Sequence, residues 1–464
     1  MIPAFDDILA VRANHTSRPI GHVEIVNSDP VLPTRFRVGE TCASVIAGIG
    51  VAVSDIWQIK TGECQDVTID VRAAAAALRS SEHLQVPAKG GGFTSAVTAE
   101  RRAGRALTQP WPTKDGRWFL PHFGLPNLRA RVLDVLRCEA SPEAVAAAVA
   151  QWDALDLEAA IDDTRACGAM VRSNAEWLAS DHGKVLAAKP VVEIIKIGDS
   201  APEPFPAGNR PLSGIRALDL TRILAGPIAA RTLAEHGADV LMVTAEALPQ
   251  VAEHVLDTSH GKRSCFLDLK ASDDAATLKH LVRGADVFSQ GYRPGTLSNL
   301  GFSANDLATV RPGIIYASIS CFGADGPFSH RAGWEQIAQT VTGICAEGGS
   351  DRPQLLPAPA CDYTTGYLAA FGILLALARR AREGGSYHVR ASLCQSGMFI
   401  YRQGKTAPDA KISELTGEEL AALRMQSETE HGPIRHLAPI LHLSQTPPFW
   451  ACPTPLLGGD KPVW

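Results

Sequence analysis

Between residues 213 and 320 the chain alternates short apolar runs with helical segments, and this alternation limits its fold more than any other feature. The runs at 215–220, 238–243, 264–269, 285–289 and 314–320 read as strands, and those at 225–235, 272–283, 296–300 and 304–310 as helices. Strands separated by helical crossovers pair in parallel, so an α/β fold is expected: a parallel sheet with helices on both faces. Ligands of such sheets lie outside the carboxyl ends of the strands. Those ends carry Thr221-Arg222, Gln290-Gly-Tyr-Arg293 and Cys321-Phe-Gly323.

A second constraint follows at 359–380. Pro359 and the Thr364-Thr365 pair mark a helix start, and Arg379, Arg380, Arg382 and Gly384-Gly385 mark its end. The residues between are apolar almost all round, which predicts a buried helix. The stretch is too short for a bilayer, which needs about 20 apolar residues. Asp362 is the lone carboxylate, at the amino end, where the helix dipole favours an anion. It reads either as an N-cap or as a catalytic carboxylate held ionised by the helix terminus.

Composition narrows the class. A net charge of −5 with mixed signs argues against nucleic acid as the main partner. The ten cysteines form no CxxC pair and the 14 histidines no HExxH or HxxxH pair, so neither a disulfide framework nor a metal site is expected. The first residues lack a basic, then apolar, leader, so a cytoplasmic location and no membrane association are expected. The stretch 85–112, with Gly90-Gly-Gly92, reads as a long loop, and helices are expected at 41–58, 72–79, 126–137, 142–151 and 156–166. Residues 200–212, rich in proline, read as a linker between an amino-terminal half (1–199) and a half bearing the βαβ units (213–403). A tail (404–464) is expected to wrap over the surface. Sliding the sequence along itself also superposes 44–71 on 366–393, with Gly50 on Gly372 and Gly62 on Gly384. If the two segments are copies, Glu40 stands where Asp362 stands.

The second half resembles the family III CoA-transferases. The resemblance rests on Leu218-Asp-Leu-Thr-Arg222, Leu224-Ala-Gly-Pro227, Leu233-Ala-Glu-His-Gly-Ala-Asp-Val240, Gly261-Lys-Arg-Ser264, Tyr292-Arg-Pro-Gly295, Phe322-Gly-Ala-Asp-Gly-Pro327 and the Asp362 segment. Asp115-Gly-Arg-Trp-Phe119, Cys167-Gly-Ala-Met-Val171 and Glu176-Trp-Leu178 look like segments that the family places after its catalytic region. Here they come first, as if two tandem copies had been trimmed at both ends. The resemblance implies a Rossmann-like sheet plus a smaller α+β domain. It also implies a CoA-transferase that moves CoA from an acyl-CoA to a free carboxylic acid through an aspartyl-CoA thioester on Asp362. CoA enters as substrate, with no metal. An aspartate ionises near pH 7 without a large pKa shift. Lys262, Arg263, Arg293, Arg222, Gln290 and Tyr292 match positions at or beside CoA contacts. A homodimer is the partner state implied, although one chain holding both halves supplies contacts that usually come from two.

Two alternatives stand beside this reading. A racemase of acyl-CoA needs a second base, but Trp334 occupies the place of the expected histidine in Ala332-Gly-Trp-Glu335. A non-catalytic CoA-binding protein is favoured if the rearranged halves fail to close the pocket.

Overall fold

The computed structural model describes residues 2–464. Its centre is a seven-stranded sheet in the order Lys262–Phe266, Asp239–Thr244, Arg216–Leu220, Val287–Gln290, Ile315–Ser320, Ser386–Ser392 and Glu193–Gly198. The first six run parallel and the last is antiparallel. The chain starts in the middle at Arg216–Leu220, builds outward to 266, then returns to Val287–Gln290 on the other side. The order therefore reverses between those two central strands, which opens a crevice at their carboxyl ends. The parallel α/β sheet expected from the alternation is present.

The strands are buried on both faces because helices flank them, and their Val, Ile and Leu residues belong to shared apolar clusters. Two 24-residue helices, Val38–Thr61 and Ala360–Glu383, are long and apolar enough to cross a membrane, yet both are buried in the core and pack on each other. Gly48 on the first sits against Phe371 on the second.

The chain folds back across the expected boundaries. Strand Glu193–Gly198, from the first half, closes the sheet beside Ser386–Ser392. The tail forms a hairpin, Arg424–Thr429 with Gly432–Leu437, that joins strands Gln85–Pro87 and Phe93–Ser95. The stretch 85–112 thus holds strands and a helix, Ala99–Leu107, rather than a loop alone. At the other sheet edge, Asp460 N–H donates to Ser264 O (2.7 Å) and Asp460 Oδ2 accepts from Ser264 N–H (2.8 Å), which covers strand Lys262–Phe266.

The two segments that the shift superposes also match in secondary structure. The shift that aligns the two segments carries Val38–Thr61 onto Ala360–Glu383, and the helix starting at Val71 onto the one starting at Leu393. Strand Val67–Asp70 has a parallel neighbour, Val23–Val26, and an antiparallel one, His442–Leu443. Strand Ser386–Ser392 has the same two kinds of neighbour.

Candidate active site

Two cavities meet at Asp362. One, of about 300 Å³, lies outside the carboxyl ends of strands Arg216–Leu220, Val287–Gln290 and Ile315–Ser320. The other, of about 260 Å³, is walled by Arg101, Arg105 and His122 of the amino-terminal half and by Glu335 and Gln339 of the second half. Four residues line both: Ile223, Leu224, Trp334 and Asp362. Of these, only Asp362 carries a carboxylate.

The partition between the cavities is built by the turn after the first sheet strand. Asp219 is buried; its Oδ1 accepts from the backbone N–H (3.0 Å) and hydroxyl of Thr221, and its Oδ2 accepts from Lys262 Nζ (2.8 Å). Lys262 Nζ also donates to Pro227 O (2.9 Å), so one ion pair ties the turn to the helix Ala225–Glu235. Ile223 has a φ of 74°. A β-branched residue in the left-handed region is strained, and such strain gathers where a site over-determines the backbone. Gly226 lies so close to Thr221 that an added Cβ would sit 2.2 Å from the Thr221 Cβ. The helix begins there without a side-chain cap, with Ala225 and Gly226 on the cavity wall, and its first free amides suit a phosphate.

Asp362 is not an N-cap. The helix begins at Ala360, and Asp362 is its third residue. The cap is Glu335, from an earlier helix, which accepts the backbone N–H of Cys361 at 3.1 Å through Oε1 and that of Asp362 through Oε2. The helix terminus is thereby spent on Glu335, and the Asp362 carboxylate has no hydrogen-bond partner among the described residues. Burial first, and the Glu335 charge second, push the Asp362 carboxyl well above the usual carboxylate range. Burial also pushes Glu335 up to about 7. Two buried carboxyls this close resist ionising together. The expectation of an unshifted aspartate fails because the carboxyl is buried beside Glu335.

The cations predicted for CoA divide. Arg222, Tyr292 and Arg293 line the sheet-end cavity beside Asp362. Gln290 lies behind them, its Oε1 accepting from Tyr292 N–H (2.8 Å) and so setting that loop. Lys262 is corrected: its ammonium is fully buried and committed to Asp219 and Pro227, out of reach of any ligand phosphate. Arg263 is corrected too, since it pairs with Asp239 at 3.0 Å and donates to Val463 O on the covered sheet edge, away from this cavity. Lys262 and Arg263 are consecutive, and strand alternation sends them to opposite sides of the sheet. Sequence reasoning missed Glu335 and also Arg331, which lines the cavity while pairing with Glu158 (2.9 Å) and Asp162 (3.1 Å). The one sequence signal for Glu335 is its place beside Trp334, one residue past the position of the racemase histidine.

Among known proteins, residues 212–419 match the model of CoA-transferase family III. The acetyl-coenzyme A transferase nodX of Hypoxylon pulicicidum is 29% identical over 84% of this chain and 73% of its own length. An acyl-CoA transferase of Gibberella moniliformis is 32% identical over 61% of this chain and 54% of its own. Succinyl-CoA:glutarate CoA-transferase of Mus musculus is 34% identical over 42% of this chain and 48% of its own. Apart from the first, the chain spans about half the length of these relatives.

Proposed function

We propose, from the match of residues 212–419 to CoA-transferase family III, that the chain moves CoA from an acyl-CoA to a free carboxylic acid through Asp362. The observation that carries this reading is the position of Asp362, the one carboxylate lining both cavities. The sheet-end cavity, with Arg222, Tyr292 and Arg293, takes the CoA. The second cavity takes the acyl group and then the incoming acid.

An Asp362 carboxylate oxygen attacks the thioester carbonyl, the C–S bond breaks, and a mixed anhydride and CoA thiolate result. The thiolate attacks the aspartyl carbonyl, which releases the first acid and leaves CoA on Asp362 as a thioester. The incoming carboxylate attacks that thioester, and the freed thiolate then attacks the new acyl carbon. The product acyl-CoA leaves and the Asp362 carboxylate is restored. Each step exchanges one activated acyl bond for another, so one difficult transfer becomes several easier ones. A carboxylate of raised pKa is a stronger nucleophile once ionised, and it is aimed by Glu335, which holds the backbone on either side of its peptide. The buried walls exclude water, which would otherwise hydrolyse the anhydride.

Incubation with an acyl-CoA followed by hydroxylamine or borohydride tests this. Mass spectrometry is expected to find the modification on the peptide that contains Asp362, and an unmodified Asp362 during turnover would sink the reading.

A further inference from the structure

We propose that Arg131 and Arg165 of the amino-terminal half join Arg293 in holding a phosphate group of the CoA thioester at the rim of the sheet-end cavity. The inference rests on the transferase reading above and adds two ligands to it from the other half of the chain.

Arg293 lines the cavity, and its Nη2 donates to the carbonyl oxygen of Arg165 at 2.8 Å. Arg131 donates through Nη1 to the carbonyl oxygens of Thr164 (3.3 Å) and Arg165 (3.4 Å). Two guanidinium groups from opposite halves therefore share one acceptor, which holds them side by side. The helix Pro126–Leu136 explains why Arg131 faces this way. Asn127 lines the cavity, and Arg131 is one helical turn on, on the same face. Arg165 holds a left-handed turn, φ 58°, after helix Ala154–Asp163, and that turn offers the shared carbonyl.

Like charges gathered in this way repel, and at several other places in the protein a carboxylate answers them. Arg172 and Arg331 have Glu158, Arg311 has Glu203, and Arg231 has Asp257. Among the described residues, Arg131, Arg165 and Arg293 are in no ion pair. The nearby acid, Asp162, is taken by Arg331 at 3.1 Å. Burial chiefly, and the Arg165 and Arg131 charges beyond it, push Arg293 below the ordinary guanidinium range. A phosphate supplies the missing anion and accepts bidentate hydrogen bonds that no single lysine could offer. In CoA that group is either the 3′-phosphate or the diphosphate.

The test is calorimetric titration of the full chain with CoA and with 3′-dephospho-CoA. The proteins compared are the wild type, R131A/R165A, the length-preserving R131Q/R165Q, and R283A, an exposed arginine on helix Ser272–Arg283. Both double variants, checked by thermal melting for an intact fold, are expected to bind CoA at least tenfold more weakly, with a shallower salt dependence, and R283A to match the wild type. A loss confined to CoA assigns the 3′-phosphate, and an equal loss for both ligands assigns the diphosphate; either sustains the proposal. Folded double variants that bind CoA as tightly as the wild type overturn it. A wild type that binds no CoA at all strikes the transferase reading itself.

Discussion

The Glu40 and Asp362 helices are the same device placed in two settings. Each is 24 residues long, each leads into a strand and a shorter helix, and each has a carboxylate from another segment on its first backbone amides. Asp29 accepts the N–H of Glu40 at 2.8 Å, as Glu335 accepts those of Cys361 and Asp362, at positions that the 322-residue shift aligns. Burial pushes both caps up, Asp29 to about 6 and Glu335 to about 7. The settings differ. Glu40 is neutralised by Arg37 at 2.9 Å, belongs beside a three-stranded sheet and lines neither of the two cavities. Asp362 has no counter-ion among the described residues and stands beside the reversal point of a seven-stranded sheet. What separates the two helix starts is the crevice, which only Asp362 lines.

The sharpest way to break this comparison is to remove each carboxylate in turn. Asp362→Asn is expected to cut CoA transfer by about a thousandfold or more and to abolish the hydroxylamine-trapped product. Glu40→Gln is expected to leave the rate within about twofold. Comparable losses from both would show that the copies share the chemistry.

Loosening the second setting comes next. Lys262→Ala leaves the Asp219 charge buried without its cation, and a loss of about 3–5 kcal/mol in chemical denaturation is expected. A near-neutral result would mean that Lys262 is free for a ligand after all.

The two caps give a smaller and more discriminating effect. Asp29→Ala and Glu335→Ala are each expected to cost about 1 kcal/mol through the helix amides they orphan, read from denaturant midpoints. Transfer activity should fall only in the second. If both variants keep full activity, Glu335 does no more than cap.

The smallest effect is a shift in pH dependence. Because Asp362 is raised, its inert protonated form persists to higher pH than for a free aspartate, and the rate is lost as pH falls through that raised value. Glu335→Gln removes a neighbouring negative charge, so the acid limb of kcat is expected to move to lower pH. Stability runs the opposite way. Asp29 and Glu335 hold protons in the folded chain that the unfolded chain has released, so between about pH 4.5 and 7 stability is expected to fall as pH rises. Melting curves across that range check the sign.

What the sequence reveals and what it hides follow from how local each cause is. The parallel sheet is legible because buried strands show as unbroken Val, Ile and Leu runs, and the Asp362 helix because it is apolar all round. Asp362 itself stands out as the one charge ahead of that run. Glu335 does not, since a cap supplied by a different helix leaves no mark near the residues it caps. Lys262 reads as a ligand through the resemblance, and nothing near it in the sequence signals that Asp219 lies across the sheet. The hairpins at 85–95 and 424–437 are hidden because they are short and polar, and only their mutual pairing keeps them as strands.

The two 24-residue helices lie in one polypeptide, so their starts need not change together. In an assembly of identical chains, any substitution appears at every equivalent position, so a residue needed in one place is preserved in all. Here Glu40 and Asp362 are separate codons. A substitution at Glu40 or at its partner Arg37 therefore leaves Asp362 unchanged, and either helix start can be altered on its own.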